Sequence, residues 1–319
     1  MLVRPTPLRQ KTGRLLAAGA LALSLSFAAP AAPTQQLTFS STEAAVAALV
    51  DAVRSGDKAH LKKLLGPKSE RLIAADPVIA QREQAIFVAA FEQGHDIQME
   101  GQKKASLVVG RDNWPFPVPL VNTGKGWRFD TSAGLQEILH RRIGRNELNA
   151  IQVLLAIVDA QREYASADHD GDGLIEYAPK FESDPGKKNG LYWPTQPGEH
   201  ESPLGPLVAR ATRAGYASPE VQQAAQPYWG YYYRLLVGQG AAAKGGAYSY
   251  MAGSRMLGGF AVVAYPAHYG NSAVKSFIVN QDGTVFEKDL GPKSKQIAEA
   301  MTAFNPDKGW EAVATADGK

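Results

Sequence analysis

The sequence predicts an α+β protein made of two successive halves, each with helices first and antiparallel strands after. Three observations carry this. The chain has 319 residues, enough for two domains of ordinary size. Between residues 41 and 92 apolar residues recur at helical spacing, and from 105 to 130 they fall into short strand-like runs. The same order then repeats, with a long helical pattern ending near residue 165 and strand-like runs from 229 to 288.

The elements of the first half, 37–135, follow in order. Ser41 or Thr42 can cap a first helix, with Glu43 in its first turn. Ala45, Val46, Leu49, Val50 and Val53 form its apolar stripe. Ser55-Gly56-Asp57 breaks it, Asp57 caps a second helix through Leu65, and Gly66-Pro67 ends that one. A third helix is predicted over 78–92. Strands are predicted at 105–109, 118–122 and 126–130, with Gly124-Lys125 as the turn before the last. Trp114 with Pro115, Pro117 and Pro119 reads as a rigid, extended edge segment, because proline suits sheet edges.

The second half, 140–305, opens on a spine helix. Leu148, Ile151, Leu154, Leu155 and Val158 form one apolar stripe, and Ala150, Val153, Ile157, Ala160 and Tyr164 a second. A helix apolar on two sides is buried on two sides. It needs a sheet on one and a further cover on the other, from the first half or from a partner. A Gly- and Pro-rich region over 168–227 follows, with a short helix at 206–214. Strands are predicted at 229–237, 248–251, 259–265, 275–280 and 284–288, with Gln281-Asp282-Gly283 as a hairpin turn. A closing helix is predicted over 293–304, and residues 306–319 read as a flexible tail.

The first 31 residues differ from the rest. Arg4, Arg9, Lys11 and Arg14 precede an apolar run and a small-residue exit, the pattern of a secretory signal peptide. Cleavage after Ala31 fits, and Ala28 and Ala29 are alternatives; an uncleaved membrane anchor is the competing reading. Removing four of the 34 basic residues leaves 30 against 31 acidic, a net charge of −1 instead of +3. Nucleic-acid binding thereby loses its electrostatic basis. With no cysteine there are no disulfides, thiolate metal sites or cysteine nucleophile. No later apolar run is long enough to cross a membrane.

The sharpest chemical motif is DHDGDGLIEY. Asp168, Asp170 and Asp172 occupy alternate positions, Gly173 allows a tight turn, and Leu174 offers a carbonyl. That is calcium-loop spacing, since alternating carboxylates converge where the chain curls around an ion. The glutamate an EF-hand needs at position 12 is Pro179, while Glu176 stands at position 9. Two readings stay open: a structural calcium held by Asp168, Asp170, Asp172, Leu174 and Glu176, and a polar Asp-Gly turn that ends the spine helix. Glu137 with His140, His60, His95 and the His268–Ser272 turn read as surface or turn residues, so no catalytic constellation is expected.

Three resemblances follow from these residues. Helices leading to a sheet that ends in GWRFD resemble the cone-shaped NTF2-like domains, over 37–132. NELNAIQVLLAIVDAQREYAS, with GYYYRLLV and the strands to residue 290, resembles the globular part of type IV pilin-like and pseudopilin proteins. Those carry a long apolar helix directly before this point, where this chain has His140-Arg141-Arg142-Ile143-Gly144-Arg145, which opposes polymerisation. WPFPVPLV, RRIGRNEL, DAQREYAS, DGDG, GLYWP, SPLGPLV and FIVNQDGTVFEKDLGP resemble the bacterial secreted family catalogued as domain of unknown function 2950. The expectation is a periplasmic or secreted, non-enzymatic envelope protein, without nucleic acid or a membrane span after cleavage. It would act through a protein partner, as an accessory to a secretion or pilus-like assembly. The alternative is a small-ligand binder or enzyme using an NTF2-like pocket in the first half.

Overall fold

The computed structural model describes residues 36–72, 77–169, 171, 173–213 and 227–314. The signal segment, Asp170, Asp172 and the last five residues lie outside these. The fold is α+β, with antiparallel sheets in both halves.

The first half places α1 (Thr42–Ser55), α2 (Lys58–Leu65) and α3 (Pro77–Gln93) before a five-stranded sheet. Of the two residues that could cap α1, Ser41 does so, its Oγ accepting from Ala44 N, and Asp57 caps α2 as expected, its Oδ1 accepting from His60 N. The strands are β1 (His95–Glu100), β2 (Lys104–Val109), β3 (Trp114–Pro115), β4 (Leu120–Asn122) and β5 (Trp127–Phe129), in the order β1-β2-β4-β5. Both β3 and β4 pair with β2. Residues 115, 117 and 119 are prolines without a donor, and Phe116 between them donates to Leu107 O at 2.7 Å. Leu49, Leu64, Leu107, Leu120 and Phe129, none more than 1% exposed, fill the space between helices and sheet. Gly126 lets the entering chain pair with β5: its φ is +126°, and a Cβ there would lie 2.6 Å from Phe39 O.

The long helix α4 (Thr131–Tyr164) has 34 residues and spans about 50 Å. It starts well before the expected spine, so residues 135–140, read as the join between halves, are helical. Asp130 caps it by accepting from Ala133 N, and Thr131 Oγ1 donates to Leu65 O. Gly134 lies against Val118; a Cβ there would sit 2.7 Å from Val118 Cγ2. Glu137 Oε1 accepts from Arg141 Nε at 2.7 Å, and Arg141 lies 4.6 Å over the Trp114 ring. From the next residue on, α4 holds the second half. Arg142 donates to Asn271 Oδ1, Asn146 donates to Ser272 O, and Glu147 Oε1 accepts from Val274 N and Lys275 N.

After α4 come α5 (Gly205–Arg213), β6 (Tyr231–Leu236), β7 (Gly238–Gln239), β8 (Tyr248–Ser249), β9 (Met251–Ala252), β10 (Arg255–Met256), β11 (Ala261–Pro266), β12 (Ser276–Asn280), β13 (Phe286–Lys288), α6 (Ser294–Ala300), β14 (Ala303–Phe304) and β15 (Glu311–Ala312). The main sheet runs β15-β13-β12-β11-β6, all antiparallel. Every residue of β11 and β12 is buried, so this sheet is covered on both faces. The expected closing helix stops at Ala300, and Ala303-Phe304 instead pairs in parallel with β7. Arg234 donates to Ala298 O and Met301 O, so a cation meets the carbonyl end of α6. The tail expected from 306 returns to the sheet: β15 pairs with β13, and Val313 N donates to Val285 O at 2.9 Å.

Of the two stripes on α4, Ala150, Ile151, Val153, Leu154, Ile157, Val158, Ala160 and Tyr164 are buried, while Leu148 is 67% exposed, contrary to expectation. It lies on the outer side of a turn whose Asn146 and Ala150 are buried. The further cover is the chain's own connection: Ala178, Leu191 and Leu204 are buried in the same core as α4 and the sheet.

Candidate functional site

The connection from 177 to 204 is irregular, tied to β10 at its start and paired with itself beyond that. Tyr177 N donates to Met256 O, Leu191 N to Lys180 O, Tyr192 N to Phe181 O, Ser183 N to Tyr192 O, and Leu204 N to Leu191 O. Gly190 permits this closeness, since a Cβ there would lie 2.6 Å from the carbonyl carbon of Glu182. Lys180 and Asn189 both donate to Asp184, and the Asn189 amide, then the Lys180 ammonium, hold that carboxyl below its ordinary range. Two bonds tie the connection to the end of α4. The Gln161 side chain, fully buried, donates to Ala178 O at 2.8 Å and accepts from Ala178 N at 2.9 Å. Tyr164 OH donates to Lys188 O at 2.8 Å.

Against this wall lies a groove. Two cavities, of about 440 and 420 Å³, share Trp193 and Glu201. One is completed by Tyr192, Ser202 and Gly205, the other by Glu163, His169 and His200. The rings are layered: His169 stacks on Tyr164 at 4.3 Å and lies 5.6 Å from Trp193. The Lys188 ammonium sits 5.5 Å over Trp193. Ser202 is 2% exposed, and its hydroxyl has no hydrogen-bond partner among the described residues.

The Asp168 loop adjoins this groove, since Ala167 and His169 line the second cavity. Asp168 Oδ1 accepts from Gly171 N and Oδ2 from Gly173 N, both at 2.8 Å. Leu174 is 46% exposed, Glu176 is half-buried, and Asp170 and Asp172 lie outside the described residues. Among the described residues no cluster of three or more His, Asp or Glu can hold a metal.

The other singled-out residues sit in local structure. His95 stacks on Phe91 at 3.7 Å. In the 268–272 turn, Ser272 Oγ accepts from His268 N, and Tyr269 OH donates to Asp289. Glu137 is paired with Arg141, and His140 is exposed.

A protein-family model described as "Protein of unknown function (DUF2950)" matches residues 36–313. The chain belongs to the DUF2950 family. No curated protein and no solved structure matches it. In this DUF2950 protein the groove is the feature that sequence reading missed. Trp193 lies in a stretch read as loop, and Gln161 is a residue type ordinarily found outside. The one available signal was an aromatic pair, Tyr192-Trp193, inside an otherwise Gly- and Pro-rich segment.

Proposed function

We propose that this DUF2950 protein is exported to the cell envelope and works there by binding rather than by catalysis, with the groove around Trp193 as its working surface. The groove itself carries this reading. It sets a stacking ring between two cavities that share the Glu201 carboxylate, one of them also lined by Glu163 and two imidazoles, the mixture of apolar walls and few polar groups usual for recognition sites. The signal-like first 31 residues support export with cleavage after Ala31, and among the described residues no helix is long and apolar enough to cross a membrane.

Within this reading the first half is NTF2-like, and the second is pilin-like without the polymerising helix. The proposed partner is a protein of the envelope, in a secretion or pilus-like assembly. The order of helices and antiparallel strands in each half supports these likenesses at the level of pattern. The rival, a ligand pocket inside the first half, has less support, because Leu49, Leu64, Leu107, Leu120 and Phe129 pack there. The test is a photo-crosslinking residue placed at Trp193, and another at exposed Ile86, in the full chain expressed in its envelope. Reproducible adducts at 193 and none at 86, on a mature chain beginning at Ala32, are expected. Equal yields at both positions, or a chain still starting at Met1, would overturn the proposal.

Calcium at the Asp168 loop belongs to the same reading as a structural ion, supported by the carboxylate spacing and the loop's place at the exit of α4. Calcium at about a hundred times its dissociation constant should stabilise the protein by about 2.7 kcal/mol, raising the thermal midpoint by several degrees. The Asp170→Ala protein should show no such rise. Equal responses of the two proteins would remove the ion.

A further inference from the structure

We infer that the groove around Trp193 binds a linear saccharide chain, with one ring stacked on the indole and its neighbours in the flanking cavities. This rests on the proposed binding role and adds a saccharide, beside the envelope protein, to what the groove receives.

The shape points to a chain. The two cavities of about 440 and 420 Å³ meet at Trp193 and Glu201, so a ligand seated on the indole extends both ways. A compact metabolite would use only one of them.

The chemistry points to sugar. A sugar ring offers an apolar C–H face and an equatorial rim of hydroxyls that both donate and accept. Trp193 and Tyr192 supply flat apolar surface, and an aromatic ring gives large contact area at small entropic cost. Glu163 and Glu201 accept and Lys188 donates; His169 Nε2 and His200 Nδ1 donate to the carbonyls of Tyr164 and Glu201, which leaves the other nitrogen of each neutral ring as an acceptor. The buried Ser202 hydroxyl adds a group whose hydrogen bonding is unmet within the described protein.

Other ligand classes fit less well. An extended peptide is gripped mainly through main-chain hydrogen bonds along a strand edge. Here the wall's amides at 183, 191, 192 and 204 are already spent on the wall itself. Nucleic acid needs a surplus of cations for its phosphates, and Glu163 and Glu201 outnumber Lys188 along the lining.

The experiment uses the full mature chain and intrinsic fluorescence with calorimetry. The probes are three linear hexasaccharides: β-1,4-linked N-acetylglucosamine, β-1,4-linked glucose and α-1,4-linked glucose. At least one should bind. Trp193→Ala should weaken it about tenfold or more, the scale of losing one stacked ring. Trp193→Phe should retain most of the affinity, and Trp114→Ala, at the other end of the molecule, should change nothing. The matching monosaccharide should bind far more weakly than the hexamer. Circular dichroism and the thermal midpoint of Trp193→Ala guard against an unfolding artefact; should that variant fail to fold, Glu201→Gln supplies the comparison and should weaken binding likewise. No binding by any hexamer, or binding untouched by these substitutions, overturns the inference. If the photo-crosslinker at 193 still captures envelope protein while all hexamers fail, the saccharide falls and the binding role stands.

Discussion

Replacing Gln161 with leucine should destabilise the protein by roughly 3 kcal/mol, although the side chain keeps about the same volume. The Gln161 amide is fully buried and serves both main-chain groups of Ala178, which is itself fully buried. Leucine leaves that N–H and that C=O without partners, and each buried orphan costs about 1–3 kcal/mol. The bond also closes the chain between the end of α4 and the groove wall, around the Asp168 loop. Proteolysis within 165–177 should therefore accelerate more than the global loss explains. Urea denaturation measures the first effect and limited proteolysis the second. A loss below about 1 kcal/mol would mean that the pairing with Ala178 is not formed.

A proline at Gly144 should cost about 3 kcal/mol or more, by removing one helical hydrogen bond and forcing its ring against the carbonyl of His140. An alanine at the same place should do the reverse. A Cβ at Gly144 meets nothing within 4 Å, so Gly144→Ala should stabilise by about 0.5–1 kcal/mol through helix propensity alone. The opposite signs separate a helical site from a loop, where proline is tolerated and glycine is favoured. Gly144→Pro should also split thermal unfolding into two transitions, because the residues holding the two halves lie on either side of it or next to it. If proline costs less than alanine gains, α4 is not continuous there.

Much of the fold was legible because local chemistry decides it. Ser41 and Asp57 cap the helices they precede, and Gln281-Asp282-Gly283 makes its turn, with Gly283 N donating to Asn280 O at 2.9 Å. What escaped depended on partners far along the chain. β1, HDIQME, is an edge strand with five of its six residues exposed, so it carries no alternation of apolar and polar residues. The first 14 residues of α4 contain Gly134 and Gly144 and a run of charges, which read as a boundary. Yet Gly134 is there because Val118 lies against it, a requirement invisible without the sheet. The candidate site was less legible still. The Asp168 loop announces itself through spacing, whereas the groove arises when residues 163–169 and 192–205 are brought together by Gln161, Tyr164 and Gly190. None of those three residue types signals a binding site.

Because Arg141 engages Trp114 of the first half and Arg142 engages Asn271 of the second, the two halves are geared to adjacent teeth of one helix. Deleting a single residue beside them would turn one half against the other by about 100° and draw them about 1.5 Å together. Removing four restores the facing to within about 40° but shortens the span by about 6 Å. Length changes in this stretch should therefore be tolerated, if anywhere, only in steps near a whole helical turn, while the loops on either side are free of that constraint.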